Sequence, residues 1–126
     1  MDESFGRKEK LKSKKLIEIL FQKGKSVKSF PLRLIYLPIE NKQHVQFQTG
    51  VSVPKRIVKT AVQRNRIKRL MREAYRKNKY LVTNASGTSY AFMILYMTPK
   101  EMGYEELFKA MEKLMGKFKE KETWEN

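Results

Sequence analysis

The sequence predicts an α+β domain in which helices pack on a mostly antiparallel four-stranded sheet, in the order αβββαβα. Three observations carry that prediction. Apolar residues recur at helical spacing in three separate segments. His44–Val53 alternates between apolar and polar residues, the pattern of a half-buried strand. Tyr90–Met97 is continuously apolar, the pattern of a strand buried on both faces.

Ser13 to Lys23 reads as the first helix. Ser13 is a suitable N-cap, Leu16, Ile17, Leu20 and Phe21 form an apolar stripe, and Gly24 follows as the stop. Phe30–Ile39 is rich in branched and aromatic residues, with Pro31 and Pro38 near its ends, where a sheet tolerates proline. Glu40–Gln43 reads as a turn. In His44–Val53, one face holds Val45, Phe47, Thr49, Val51 and Val53; the other holds His44, Gln46, Gln48, Gly50 and Ser52. The second face is polar and suited to solvent or a ligand. After Pro54, a helix runs from about Val58 to Lys79, with Ile67, Leu70, Met71, Ala74 and Tyr75 as its stripe. Asn65, Arg69, Arg72 and Arg76 lie opposite, and Arg64 and Arg66 flank the stripe. Tyr80 to Thr88 reads as a loop. Tyr104 to about Lys121 is the third helix, with Leu107, Phe108, Met111, Leu114, Met115 and Phe118 inward. No repeat or linker divides residues 1–126, so a single domain is expected, with residues 1–10 and 120–126 as flexible ends.

A chain of 126 residues is long enough to bury roughly two-thirds of its unfolded surface without a disulfide or metal. It has no cysteine, which excludes disulfides, zinc–thiolate sites, iron–sulfur clusters and cysteine nucleophiles. Its one histidine, His44, argues against a histidine metal site or a serine triad. The polar N-terminus MDESFGRKEK does not read as a signal peptide. No apolar run approaches the ~18 residues of a membrane span. An intracellular, cytoplasmic domain is the expectation.

The formal net charge of +15 points to a polyanionic partner. Residues 55–79 carry 11 basic side chains and 1 acid, so two-thirds of the net charge sits in that stretch, whereas residues 80–99 carry no charge. Arg64/Lys68, Lys68/Arg72 and Arg72/Arg76 are like-charged i,i+4 pairs, which cost helix stability. Glu73 is the one acid available to pair within the helix, with Arg69 or Lys77 four residues away. Between residues 64 and 76, arginine outnumbers lysine five to one. The planar guanidinium suits bidentate phosphate contacts. A face that bears this repulsion is explained by phosphates that neutralise it, against the plainer alternative of a solvated basic face.

The run Arg64-Asn65-Arg66-Ile67-Lys68-Arg69-Leu70-Met71-Arg72-Glu73-Ala74-Tyr75 resembles the signature helix of the bacterial ribonuclease P protein family. Thr49 to Arg56 resembles that family's strand-to-helix lead-in. Leu20-Phe21-Gln22-Lys23-Gly24-Lys25-Ser26 resembles its first helix and turn, and Tyr104–Leu107 the start of its last helix. The four blocks occur in the family's order and span roughly residues 11–118. Two positions depart from the pattern: Ile17 stands where an aromatic residue is frequent, and Pro54 where serine or threonine is.

The resemblance implies a fold like ribosomal protein S5 domain 2, with a left-handed βαβ crossover in place of the commoner right-handed one. It implies the protein subunit of a ribonucleoprotein that removes the 5′ leader of precursor tRNA. The RNA subunit would carry the catalytic site and hold the Mg²⁺, so the protein has no catalytic residue and no activity alone. Lys55, Arg56, Arg64, Asn65, Arg66, Lys68, Arg69 and Arg72 would face the ribonuclease P RNA. Phe21, Tyr36, Gln46, Gln48 and Ser52 would line a cleft for the single-stranded leader, where bases stack along a basic groove. Neither DNA nor a membrane is an expected partner. Each leader residue also has a structural reading: Phe21 as core, Tyr36 as packing, Ser52 as an ordinary strand residue. His44 reads as a solvent-side strand residue, Trp124 as part of a tail, and Lys8–Lys15 as a solvated arm or an RNA contact.

Other function classes fit less well. A ribosomal or duplex-RNA-binding protein shares the charge but does not need the Phe21–Gly24–Ser26 block. A helix-turn-helix DNA reader needs a second helix close behind a short turn, where this chain has Pro54 and a strand. A protein-only nuclease asks for clustered carboxylates, but here they concentrate in residues 101–125 at helix-surface spacing. A membrane-binding cationic helix would need the Ile67 stripe that the core requires.

Overall fold

The computed structural model describes residues 5–6, 9–40, 46–82 and 88–122. Three helices and four strands follow in the order α1 (Lys14–Lys23), β1 (Lys25–Ser29), β2 (Leu32–Ile39), β3 (Phe47–Ser52), α2 (Ala61–Asn78), β4 (Ser89–Tyr96) and α3 (Tyr104–Glu122). The sheet order is β1-β2-β4-β3. β1–β2 and β2–β4 are antiparallel, while β3 and β4 run parallel with α2 between them in sequence. This is the expected α+β architecture.

The helices begin and end for identifiable reasons. The Ser13 side chain accepts the Leu16 N–H at 3.2 Å and caps α1. Gly24 ends α1, but not through the left-handed conformation its position suggested, since its φ is −70°. Glycine is needed there for close approach: a Cβ would lie 2.5 Å from the Leu20 carbonyl oxygen and 2.6 Å from Ile35 Cγ2. Thr60 caps α2 by accepting the Gln63 N–H at 3.3 Å, so that helix starts three residues later than Val58. Val58 is instead a buried anchor of the lead-in turn. Beyond α2, a 3₁₀ turn at Lys79–Val82 occupies the start of the stretch expected as loop.

Both faces of the sheet are covered. On one side Leu32, Leu34 and Tyr36 of β2, Phe47 of β3, and Tyr90, Phe92, Ile94 and Tyr96 of β4 pack with α2 and α3. Phe118 of α3 is fully buried here, with ring centroids 4.8 Å from both Tyr36 and Phe92 and 5.0 Å from Tyr90. On the other side Leu11 and Leu20 pack with Ile35, Ala91, Met93 and Leu95 under α1. β4 is buried along its whole length, as its uncharged run predicts. Asn78 is buried and ties α2 to α3, its side-chain amide donating to the carbonyls of Ala74 (3.0 Å) and Phe108 (3.4 Å).

β1 was not located from the sequence. Its residues, Lys-Ser-Val-Lys-Ser, have little apolar content, and it exists by pairing with β2 from Lys25↔Tyr36 to Ser29↔Leu32. The N-terminal segment also docks. Leu11 donates its N–H to the Thr49 carbonyl at 3.0 Å, and Lys10 bridges the β3 edge at Thr49. The Phe5 ring meets Tyr75 edge-on at 5.4 Å, and the Glu9 carboxylate pairs with Lys79 at 2.6 Å.

Candidate nucleic-acid interface

The lead-in from β3 to α2 presents the first two cations. Val53 and Val58 are buried at either side of a turn in which the Ile57 and Val58 N–H groups donate to the Pro54 carbonyl. Lys55 and Arg56 lie exposed on that turn. The Arg64 guanidinium reaches back from the first turn of α2, and its Nη1 donates to the carbonyls of Val58 and Lys59, each at 3.0 Å. Arg64 therefore has a structural duty that the sequence did not show: it fixes the Lys55–Arg56 turn against the helix.

Along α2, Ile67, Met71, Ala74, Tyr75 and Asn78 are buried, so the helix is held in one rotation about its axis. Asn65, Arg66, Arg69 and Arg72 are exposed, and Lys68 is half-buried. Arg66 pairs with Glu101 of the β4–α3 connection at 2.7 Å, with both side chains about half exposed (52% and 45%), so the pair is weakly held. Glu73 does not neutralise the middle of the face. It pairs with Arg76 three residues on (2.6 Å), and the charge of Lys77 also acts on its carboxylate. The Arg76 hydrogen bonds hold the Glu73 carboxyl below its usual range. Among the described residues, the side chains of Lys55, Arg56, Lys68, Arg69 and Arg72 enter no ion pair or hydrogen bond.

The basic surface extends to the N-terminal segment. Arg72 lines a cavity of about 200 Å³ together with Phe5, Lys10, Leu11, Lys12, Thr49, Gly50 and Val51. Lys10 and Lys12 thus join the α2 cations, which the sequence left open because nothing local shows where a chain end docks. Their neighbour Tyr75 is buried, and its phenol oxygen accepts the Thr49 hydroxyl at 2.9 Å. Burial pushes the Tyr75 phenol up from its ordinary value.

The α1 face of the sheet holds some of the expected leader residues. Gln48 pairs with Ala91 and Ser52 with Leu95, which both face α1, so Gln48 and Ser52 share that face and are partly exposed. Gln46 precedes β3 and its carbonyl accepts the Tyr90 N–H at 2.9 Å. Phe21 is 49% exposed on α1, and Ile17 packs against the α1-side core one helical turn before it. Tyr36 is a correction. It lies 1% exposed on the opposite face, against Phe118 and Tyr90, and offers no ring to a base. Ile35 occupies the α1-facing position instead. The strand pattern could not decide between them, because β2 is buried on both faces. His44 and Trp124 lie outside the described residues, as does Lys8 of the Lys8–Lys15 arm.

Among the described residues, no group of three or more Asp, Glu or His side chains converges to hold a metal. The chemistry the surface offers is phosphate neutralisation and base contact.

The family model described as Ribonuclease P matches residues 5–119. The "Ribonuclease P protein component" of Porphyromonas gingivalis is 38% identical over 78 residues, 62% of this chain and 57% of that protein. That of Chlorobaculum tepidum is 42% identical over 82 residues, 63% and 53% of the two chains. The chain thus spans little more than half the length of these two relatives. That of Bacillus cereus is 35% identical over 106 residues, 83% of this chain and 86% of the relative. Among solved structures, the Staphylococcus aureus RNase P protein superposes with a TM-score of 0.69 at 22% identity, covering 88% of this chain and 95% of the other. The Thermotoga maritima protein gives 0.68 at 16% identity, covering 86% and 96%. At these identities the structures speak for the fold alone.

Proposed function

The chain belongs to the ribonuclease P protein family, and from that premise we propose that it is the protein subunit of a ribonucleoprotein that matures the 5′ end of tRNA in the cytoplasm. It binds the catalytic RNA through the basic face of α2 and its lead-in: Lys55, Arg56, Arg64, Asn65, Arg66, Lys68, Arg69 and Arg72. It holds the single-stranded 5′ leader of precursor tRNA on the α1 side of the sheet, with Phe21, Gln46, Gln48 and Ser52 as contacts. The RNA carries the catalytic site and the Mg²⁺, and the protein alone does not cleave.

One observation carries this reading: a rigidly seated helix presents cations that no described acid neutralises, although the like-charged spacing works against the helix. RNA phosphates supply the missing counter-charge and release condensed counterions on binding. On the other side of the sheet, the half-exposed Phe21 and the polar row of β3 suit unpaired bases, which bind by stacking and edge contacts.

The test is precursor tRNA cleavage at low Mg²⁺ with the protein alone, a bacterial ribonuclease P RNA alone, and the two together. Cleavage at the mature 5′ end only in the mixture supports the proposal. No stimulation, with the RNA active at high Mg²⁺, overturns it in favour of a general RNA-binding role.

A further inference from the structure

The strand register builds a cross-strand row that leads away from the proposed leader contacts. Ser52 of β3 pairs with Leu95 of β4, Leu95 with Arg33 of β2, and Arg33 with Lys28 of β1. Paired residues on adjacent strands share a face of the sheet, and Leu95 is on the α1 side. The row therefore runs continuously from Ser52 to the far edge of the sheet, three strand spacings or about 14 Å. It ends at a surface cavity of about 170 Å³ lined by Lys28, Phe30, Pro31, Leu32, Arg33 and Met97.

Three features of this cavity are unexplained by folding. Phe30, in the β1–β2 turn, is 72% exposed. Arg33 Nε is buried and has no hydrogen-bond partner, while Nη2 of the same side chain makes only a long 3.4 Å bond to Ser26 Oγ. A buried N–H left unpaired is rare and calls for an explanation. Lys28 adds a second cation at the rim, and no Asp or Glu lines the cavity.

We infer that this cavity is a second nucleotide subsite, in which one unpaired RNA base stacks on Phe30 while Lys28 and the Arg33 guanidinium neutralise its phosphate. The row sets the spacing between Ser52 and this subsite, and Leu95 itself is buried between them. The inference rests on the leader-binding reading and extends the track across the sheet to β1. An aromatic ring beside two cations, with no acid, is the chemistry that single-stranded RNA recognises.

The experiment measures binding of precursor tRNAs by the assembled complex of this protein with a bacterial ribonuclease P RNA. The tRNAs differ only in leader length, some too short to cross the row and some extending past it. Phe30→Ala should weaken binding of the long-leader substrate roughly tenfold, within the range of one base–aromatic stack. Phe30→Tyr should retain it, and Lys28→Gln should weaken it by a smaller factor. Short-leader binding and assembly with the RNA should not change, which also shows that the variants fold. A fluorescent base analogue at the far end of the long leader should be quenched by the unaltered complex and not by Phe30→Ala. If Phe30→Ala affects both leaders equally, or neither, while both precursors still bind better than a tRNA with no leader, the subsite is wrong and the leader reading stands. If the unaltered complex does not distinguish these leader lengths, the subsite fails, whereas the leader reading fails only if a precursor binds no better than a tRNA with no leader.

Discussion

α2 and α3 lie on the same side of the sheet, have 18 and 19 residues, and bury comparable apolar stripes, yet their outer faces differ. α3 carries five lysines and five glutamates and is neutral overall. Its first turn holds Glu105 and Glu106 and its last turn Lys119 and Lys121, as the helix dipole favours. α2 carries seven cations against Glu73 and has no acid in its first turn. A helix at this place in the fold therefore does not need the charge of α2. The proposed RNA contact accounts for the excess.

That comparison breaks first in the core, where the two helices should be alike. Phe118→Ala in α3 and Met71→Ala in α2 both remove fully buried side chains. Each should cost about 2–5 kcal/mol in denaturant unfolding, with Phe118 at the upper end. A cost near zero for either would show that one helix is not part of the cooperative core.

On the outer faces the two should diverge. Replacing Lys68, Arg69 and Arg72 with glutamine should lower RNA affinity and flatten its log–log salt dependence by about 2–3, at roughly 0.7–0.9 per phosphate contact. Unfolding stability should hold or rise by a few tenths of a kcal/mol as like-charge repulsion is relieved. Lys109→Gln with Lys113→Gln on α3 should leave RNA binding unchanged. Equal effects from the two sets would make the RNA contact a matter of net charge alone.

Arg64 and Arg66 should separate within α2. The double change Arg64→Ala, Arg66→Ala should weaken RNA binding and flatten the salt slope. Arg64→Ala alone should also destabilise the fold by about 1–3 kcal/mol, because its charged hydrogen bonds to the Val58 and Lys59 carbonyls are lost. Arg66→Ala should leave stability within about 0.5 kcal/mol, since its partner Glu101 is half exposed.

The smallest effect appears in alkali. Glu122 at the end of α3 accepts the Tyr90 hydroxyl at 3.0 Å, and burial with this carboxylate pushes the Tyr90 phenol up to about 12. A phenol whose folded value exceeds its unfolded value stabilises the fold fully below the unfolded value of about 10. That contribution is lost as pH rises from about 10 through about 12. Tyr90→Phe should lower stability at neutral pH by roughly 0.5–1.5 kcal/mol, through loss of the Glu122 hydrogen bond, and make alkaline unfolding shallower, as read by circular dichroism against phenolate absorbance.

Much of this was legible in the sequence. α1, α3 and β4 fall within a residue or two of the expected segments, because each has a long, consistent apolar period and a clear cap or turn. The cations of α2 stand out because exposed charge is written directly in residue identity. β1 was not legible: Lys25–Ser29 has no period of its own and becomes a strand only when β2 offers its edge. Tyr36 lies on the face opposite to the expected one for a related reason. Leu34, Ile35 and Tyr36 are all buried, so alternation carries no information about which side α1 will cover.

By itself, then, the sequence determined the helices, the buried central strand, the basic helix face and the family likeness, since each is set by neighbours within a few residues. Only the tertiary structure decided that Arg64 holds the lead-in turn, that Glu73 serves Arg76, that Lys10 and Lys12 come beside Arg72, and that Ser52, Leu95, Arg33 and Lys28 form one row ending at Phe30. Those facts depend on strand register and on the docking of distant segments, which are fixed by burial across the whole molecule and leave no local pattern.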